Sequence, residues 1–226
     1  NIRVVEQPFG STTPIGPRGK MTMYAALLIG LILPFAIIYI YNLLNMGVRG
    51  RKDIETYTTI PIIGEIPHIK KPFDETQILV NDHSNDTISE AFRMLRFNLT
   101  FVDKDARVIM FTSTIPHEGK TFITRNFAAS LAMMGKKVIL MDTDIRKRTQ
   151  TNLFGASSKE GLTSYLNGTV DNPNELIIAG SGKSNFDVIP AGVIPPNPAE
   201  LLMSDRLDTL IEKLKEIYDY IIVDNV

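Results

Sequence analysis

A short loop ending in Gly-Lys-Thr carries the residues of this chain that are best suited to chemistry. It covers residues 113–121 and reads Ser-Thr-Ile-Pro-His-Glu-Gly-Lys-Thr. An apolar run at residues 108–111 precedes it, and an amphipathic run at residues 122–134 follows it. A loop between a strand and a helix binds phosphate groups, because its N–H groups and the helix N-terminus point at the anion. We therefore predict that Lys120 contacts the β- and γ-phosphates of a nucleotide and that Thr121 ligates Mg²⁺.

The nucleotide-binding prediction extends from the second half of the loop into the first helical turn. One position departs from the usual glycine-rich pattern, because Thr114 stands where the first glycine is common. A bare Gly-Lys-Thr occurs often by chance, so the prediction rests on the strand before the loop and the helix after it. The residues assigned to ATP binding are Pro116, His117, Glu118, Gly119, Lys120, Thr121 and Phe122.

Three carboxylates follow apolar runs that predict buried strands. Asp142 and Asp144 end one run, and Asp224 ends another. Because ligands of parallel sheets bind beyond the carboxyl ends of the strands, these groups should share an edge with the loop. We predict that Asp142 and Asp224 hold Mg²⁺, directly or through water, and that Asp144 orients or deprotonates an acceptor hydroxyl. An aspartate is also common in the turn that follows a strand, where it needs no catalytic role. The combination of these aspartates with the loop favours catalytic roles for Lys120, Asp142 and Asp144.

Composition limits the remaining function classes. The chain has 226 residues, a formal net charge of −1 and no cysteine. A disulfide framework and a thiolate metal site are therefore excluded, and the three histidines are scattered without metal-binding spacing. The near-neutral charge gives no indication of nucleic-acid binding. Because the chain begins at Asn1 and ends directly after an apolar run, we expect it to be an internal piece of a longer protein.

One long apolar run, residues 21–48, contains no charged side chain. It is long enough to cross a bilayer core of about 30 Å, and tyrosines lie near both ends of its densest part. We predict a transmembrane helix, with a buried core helix as the alternative. Basic residues after the run slightly outnumber those before it, which favours a cytoplasmic C-terminal side. A nucleotide site also requires cytosolic ATP.

The pattern along the chain predicts four segments. Residues 1–20 form an extracytoplasmic, proline-bearing connector, and residues 21–48 form the membrane helix. Residues 49–82 form a juxtamembrane linker, in which residues 60–67 predict a short edge strand. Residues 83–226 form a nucleotide-binding domain that is incomplete at its C-terminus.

Apolar strands alternate with helices in this last segment. Predicted strands cover residues 107–113, 137–142, 186–190 and 220–224, and predicted helices cover residues 86–101, 121–134, 161–166, 198–203 and 205–217. We expect Asp86 or Thr87 to cap the first helix and Gly135 to end the second. This alternation predicts an α/β fold with a doubly wound, mostly parallel sheet.

A charged set on the first predicted helix has two interpretations. Glu90, Arg93 and Arg96 follow an i, i+3, i+6 spacing, so neighbours in the set share a face. The spacing alone favours a solvated face with one local ion pair. The alternative is an interface, in which the arginines bind carboxylates of a neighbouring subunit.

Together these motifs resemble the membrane-anchored bacterial tyrosine kinases of capsule and exopolysaccharide export, the polysaccharide co-polymerase type. The stretches that carry the resemblance are residues 90–96, 113–121, 142–146, 190–192, 195–202 and 221–224. Two positions differ from related proteins. His117 replaces a usual glycine of the first nucleotide motif, and Ile115 stands where the related partitioning ATPases carry a signature lysine.

The resemblance implies a P-loop NTPase fold that uses ATP and Mg²⁺ to phosphorylate tyrosines. It implies a ring-shaped homo-oligomer assembled through Glu90, Arg93 and Arg96, which reverses the preference for a solvated face. It also implies the bacterial inner membrane with the kinase domain in the cytoplasm. The implied partners are the polysaccharide polymerase or export machinery and a cognate tyrosine phosphatase. The family's tyrosine-rich tail is missing from this sequence, and Tyr218 and Tyr220 at the start of an apolar run are expected to be packing residues.

Two rival functions remain beside the kinase. One is a non-catalytic polysaccharide co-polymerase, and the other is a partitioning-type membrane-associated ATPase. The membrane run and the missing signature lysine at Ile115 count against the second rival.

Overall fold

The computed structural model describes residues 10, 16, 19–44, 47–48, 50–69, 77–81, 84–115, 118–146, 160–180 and 185–225. The chain divides into two compact units, Asn1–Ile60 and Pro61–Val226. The predicted nucleotide contacts Pro116 and His117 lie outside the described residues.

The first unit contains one long apolar helix. Helix α1, Gly19–Leu44, has 26 residues and passes through Pro34 without a break. At 1.5 Å per residue it is about 39 Å long, more than a bilayer core. By length and composition it is a candidate membrane span. A short helix, α2 at Arg51–Tyr57, follows, with an ion pair between Arg51 and Glu55 at 2.6 Å.

The second unit is built on a four-stranded parallel sheet. Its strands are β1 (Val108–Phe111), β2 (Val138–Asp142), β3 (Asp187–Ile189) and β4 (Tyr220–Asp224), in the spatial order β1-β4-β2-β3. All three strand pairs are parallel, which requires a crossover between successive strands. The prediction of a mostly parallel α/β sheet is confirmed. Strand β4, the last along the chain, therefore lies between β1, which precedes the phosphate loop, and β2, which leads to Asp142 and Asp144.

The five predicted helices are present within two residues of their expected bounds, and a 3₁₀ turn that was not predicted lies between the third and the fourth. They are α3 (Thr87–Val102), α4 (Lys120–Ala132), α5 (Leu162–Leu166), a 3₁₀ turn (Pro173–Glu175), α6 (Pro198–Leu202) and α7 (Asp205–Lys215). Asp86 is the residue that caps α3, because its carboxylate accepts the N–H groups of Ile88 and Ser89, each at 2.9 Å. Gly135 follows α4 with φ at +75°, which a glycine adopts without strain.

Two apolar clusters cover the two faces of the sheet. One contains Leu140 and Ile222 with side chains from α3 and α4, such as Phe92 and Phe127. The other cluster consists of Ile139, Met141 and Ile221 with side chains from α5 and α7. Successive strand residues point to opposite faces, so the sheet is covered by helices on both sides. This is the doubly wound arrangement expected from the alternation of strands and helices.

The predicted edge strand at residues 60–67 is wrong. The described residues 61–69 contain no strand, because apolar side chains of this segment pack against a helical cluster without pairing to a strand. Ile63 and Ile66 of this segment pack against the cluster under α3. The carbonyl of Ile63 accepts a hydrogen bond from Asn98 at 2.9 Å.

A second part of the predicted linker is fixed to helix α4. The buried carboxamide oxygen of Asn126 accepts the N–H groups of Leu79 (2.8 Å) and Val80 (3.2 Å). Its amide nitrogen donates to the carbonyl of Phe122 at 2.9 Å. The segment 77–81 is therefore held to the helix that begins at the phosphate loop.

Candidate functional site

The phosphate loop joins β1 to α4. Helix α4 begins at Lys120, directly after Gly119, whose φ of +92° lies in the left-handed region. This conformation favours glycine over any residue with a Cβ atom. Thr114 occupies the position near the start of the loop where a glycine is common. Its N–H donates to the Glu118 carboxylate at 3.1 Å. The two ends of the loop are thereby connected to each other.

The first turn of α4 divides its residues between the site and the core. The ring of Phe122 packs edge-on to Phe92, with 6.2 Å between ring centroids, and belongs to the core under α3. A contact between Phe122 and a nucleotide would therefore come from its backbone. The carbonyls of Lys120 and Thr121 accept a hydrogen bond from the Thr124 hydroxyl at 3.1 and 3.0 Å, so neighbouring side chains hold this turn in place.

Lys120 forms an ion pair with Asp224 across the site. The distance between Nζ and Oδ1 is 2.5 Å, and the two side chains are only 10% and 1% exposed. The residues are 104 positions apart in sequence. The phosphate-loop lysine and the carboxylate predicted to bind metal are therefore brought together, although neither was predicted to contact the other.

The sheet register places the two other carboxylates beside this pair. Asp142 and Asp224 are partners in the β2–β4 ladder, so their side chains lie on the same face of adjacent strands. Both follow Leu140 and Ile222 at a spacing of two residues, and therefore face the side of the sheet that α4 covers. The N–H of Asp144 donates to the Asp142 carboxylate at 3.1 Å. All three aspartates are buried, with Asp144 at 5% exposure.

Two residues that sequence reasoning missed join the strand ends. The Thr143 hydroxyl and N–H both donate to the carbonyl of Asp224, at 2.9 and 3.1 Å. The N–H of Asn225 donates to the carbonyl of Phe111 at 3.0 Å. Thr143 stands inside the Asp-Thr-Asp motif, but its role depends on which strand lies beside β2, and no local pattern gives that information.

The donor set fits a magnesium site that phosphate completes. Among the described residues, no group of three or more His, Cys, Asp or Glu side chains is arranged to hold a metal ion. Mg²⁺ usually takes only one or two protein carboxylates together with water and phosphate oxygens. Asp142, Asp224 and the Thr121 hydroxyl match that requirement. The ammonium group of Lys120 already lies against one of these carboxylates, so the site accepts a cation.

The charged set on α3 makes its observed bonds within one copy of the chain. Arg93 pairs with Glu90 at 2.5 Å and also donates to the carbonyl of Ser84. Arg96 donates to the carbonyl of Ser130 on α4 and to its hydroxyl, the latter at 3.2 Å. The local ion pair that spacing predicted is present. The interface role of Glu90, Arg93 and Arg96 stays a prediction.

Tyr218 is a packing residue, as expected. Its ring belongs to the cluster under α7, and its hydroxyl donates to the Asp187 carboxylate at 2.7 Å. Burial and the neighbouring carboxylate raise the pKa of Tyr218 well above its usual value. Tyr220 packs from the partly buried end of β4 against the cluster under α3.

Comparison with known proteins gives a consistent result. Residues 106–226 match the family model of an AAA domain. The chain is 32% identical over 244 residues to the tyrosine-protein kinase etk of Escherichia coli strain K12, an alignment that covers 99% of this chain and 33% of that protein. It is also 32% identical, over 239 residues, to a Klebsiella pneumoniae protein provisionally named a tyrosine-protein kinase in the cps region. This alignment covers 99% of this chain and 33% of that protein. The chain spans about a third of the length of these curated relatives.

A solved structure supports the same relationship at the level of the fold. The kinase domain of the Escherichia coli tyrosine kinase ETK superimposes with a TM-score of 0.69 and 35% identity. The alignment covers 79% of this chain and 73% of that domain.

Proposed function

This chain belongs to the family of bacterial tyrosine kinases with an AAA domain, and we propose on that premise that it acts as an ATP-dependent tyrosine autokinase. It transfers the γ-phosphoryl group of ATP to tyrosine hydroxyl groups of neighbouring copies. The observation that carries this proposal is the Lys120–Asp224 pair at the phosphate loop, with Asp142 as its ladder neighbour. These are the groups that phosphoryl transfer requires, at the strand edge where ligands bind.

Lys120 changes its partner when nucleotide enters the loop. In the structure its ammonium group neutralises Asp224. We infer that the β- and γ-phosphate oxygens replace the carboxylate, since they carry more charge and the loop N–H groups hold them nearby. Asp224 is then available, with Asp142 and Thr121, to provide oxygen ligands to Mg²⁺. The metal, when bound, neutralises charge on the phosphates.

Asp144 is the residue assigned to the acceptor. Its N–H is bound to the Asp142 carboxylate, which fixes the backbone of Asp144 relative to the metal ligands. We propose that the Asp144 carboxylate orients the tyrosine hydroxyl and takes its proton. The phenolic oxygen then forms a bond to the γ-phosphorus as the bond between that phosphorus and the β,γ-bridging oxygen breaks, so that ADP and phosphotyrosine result.

The relatives and the apolar helix support a proposal for the cellular role. We propose that α1 anchors the protein in the bacterial inner membrane, with residues 1–20 on the extracytoplasmic side. Residues 49–82 then form the linker to a cytoplasmic kinase domain at residues 83–226. The name of the Klebsiella pneumoniae relative places that protein in a cps region. We propose a role in capsular or exopolysaccharide chain length and export, with the polymerase or export machinery and a tyrosine phosphatase as partners.

Phosphotyrosine formation by the complete protein tests the proposed activity. Purified full-length protein in detergent should incorporate phosphate from labelled ATP into tyrosine, and Mg²⁺ should be required. Sustained phosphate release without phosphotyrosine would instead support a partitioning-type ATPase. Nucleotide binding without either reaction would support a non-catalytic co-polymerase.

We also propose that Glu90, Arg93 and Arg96 hold subunits of a ring together. Changing all three to Ala should shift the complete protein towards monomer in light scattering. Phosphotyrosine should then fall, because the tyrosine-rich tail of one subunit would no longer reach the nucleotide site of a neighbouring subunit. The variant should still bind ATP. Lys215→Ala, at an exposed pair with Glu212, is the matched control and should leave the oligomer unchanged. An unchanged oligomer in the triple variant would support a solvated face.

A further inference from the structure

We propose that Thr143 is a positioning residue, which holds the two predicted metal-binding carboxylates at a fixed separation. Its hydroxyl donates to the backbone carbonyl of Asp224 at 2.9 Å, and its N–H donates to the same oxygen at 3.1 Å. The residue just before it is Asp142, the ladder partner of Asp224. Two hydrogen bonds from one residue therefore join the backbones that carry the two carboxylates.

The N–H bond and the hydroxyl bond have different consequences. The N–H bond continues the parallel ladder by one residue beyond the end of β2, as the backbone of many residues would. The hydroxyl bond depends on the side chain alone, and Thr143 is only 4% exposed, so no bulk water competes for it. The hydroxyl is thus an additional restraint at the point where the ladder would otherwise fray.

The restraint reaches the strand that leads into the phosphate loop. The Thr143 hydroxyl lies 3.4 Å from the side-chain oxygen of Asn225. The N–H of Asn225 donates to the carbonyl of Phe111, the last residue of β1. The carboxyl ends of β2, β4 and β1 are therefore connected in series at residues 143, 224 and 225. These are the strands that present Asp142, Asp224 and the loop.

Magnesium chemistry makes this separation functionally important. Mg²⁺ requires near-ideal octahedral geometry with oxygen ligands at about 2.0–2.1 Å, so a small change in the distance between two carboxylates weakens binding. Residues that orient metal ligands without touching the metal typically contribute about 10–100-fold to metal affinity or activity. The inference rests on the proposed function, because it concerns the metal that accompanies ATP.

The test compares Thr143→Val with Thr143→Ser in the complete protein. Valine keeps the shape of the side chain and removes the hydroxyl, while the Asp224 carbonyl keeps the N–H bond. Serine retains the hydroxyl. The readout is the binding of a fluorescent ATP analogue, measured without Mg²⁺ and over a Mg²⁺ titration. We expect Thr143→Val to raise the half-saturating Mg²⁺ concentration about tenfold, to leave metal-free affinity nearly unchanged, and Thr143→Ser to restore the wild-type value.

Thr163 offers a matched control. It is 2% exposed, and its hydroxyl has no hydrogen-bond partner within the described part of the chain. Thr163→Val therefore makes the same chemical change at a buried threonine without removing a bond, and should leave both affinities at wild-type values.

The other possible outcomes contradict either the positioning role of Thr143 or the proposed function on which it rests. An unchanged Mg²⁺ titration in Thr143→Val, or an equal loss of metal-free affinity, would overturn the positioning role. Failure of Thr143→Val to fold would also overturn it, because the hydroxyl would then be needed for the fold rather than for the site. If the wild-type protein bound nucleotide without any dependence on Mg²⁺, the proposed function itself would be wrong.

Discussion

The ion pair between Lys120 and Asp224 gives the phosphate-loop lysine a structural role beside its proposed catalytic one. Because the side chains are 10% and 1% exposed, Lys120→Met leaves a buried carboxylate without its counter-ion. Removing one partner of a buried pair costs about 3–5 kcal/mol in the free energy of unfolding. In a protein of this size each kcal/mol lowers Tm by about 2–4 °C. We therefore expect Lys120→Met to lower Tm by roughly 6–20 °C.

A double-mutant cycle isolates the contribution of the pair. Asp224→Asn removes the buried charge, so Lys120→Met should cost far less in that background than in the wild-type protein. The expected coupling energy is about 2–3 kcal/mol. Thermal and urea unfolding of the four proteins without nucleotide, followed by circular dichroism, give the required values.

An exposed pair provides the control for this cycle. Lys215 and Glu212 lie 2.7 Å apart, but their side chains are 33% and 71% exposed. The same substitutions there, Lys215→Met and Glu212→Gln, should show a coupling energy below about 1 kcal/mol. The reasoning is refuted if Lys120→Met melts with the wild-type protein, or if its coupling to Asp224 is no larger than that of the exposed pair. A loss of phosphotyrosine in Lys120→Met is informative only well below the melting temperature of that variant.

The remaining predictions concern the other carboxylates and a helix cap. Asp224→Asn should raise nucleotide affinity measured without Mg²⁺, because Lys120 loses the carboxylate that competes with phosphate, and should lower the Mg²⁺-dependent affinity. Asp142→Asn should lower only the Mg²⁺-dependent affinity, and a fluorescent ATP analogue measures both. Asp144→Asn should reduce kcat by about 10²–10⁴-fold with a smaller change in the KM for ATP. An unchanged kcat in steady-state phosphorylation would contradict a catalytic role for Asp144. Asp86→Ala should cost about 1 kcal/mol of stability. The Ser84 hydroxyl and then the helix N–H groups lower the pKa of Asp86 from 3.8 to about 2. The wild-type advantage in urea unfolding should therefore be complete above about pH 4 and be lost as the pH falls through about 2.

Local features of this fold could be predicted because local physics determines them. Strand β4 begins and ends at the predicted residues, since an apolar run bounded by polar residues has clear limits. Asp86 accepts two N–H groups at the start of α3 because a short acidic side chain satisfies donors that the helix leaves unpaired. The loop before α4 could be predicted because Gly-Lys-Thr stands between an apolar run and an amphipathic one, and Gly119 adopts the left-handed conformation just before the helix begins.

Features that depend on strand order could not be predicted. The position of β4 between β1 and β2 brings Asp224 to Lys120, and nothing near residue 120 or residue 224 specifies that contact. The same register gives Thr143 its acceptor. The predicted edge strand failed for a related reason, because Ile63 and Ile66 satisfy an apolar pattern equally well by packing under α3. Sequence reasoning proposed the candidate site residues, but the pairings that hold them depend on the three-dimensional order of the strands.

The packing of α3 on α4 affects how the interface set should be interpreted. Arg96 bonds to Ser130 on α4, and Asn126 of the same helix holds Leu79 and Val80 of the linker. Arg96→Ala therefore alters the helix that begins at the phosphate loop, whether or not a neighbouring subunit is present. Glu90 bonds to Arg93 on its own helix and its side chain is 55% exposed. A loss of oligomer in Glu90→Ala would thus report on the interface, whereas Arg96→Ala also removes the bonds to Ser130 within one copy of the chain.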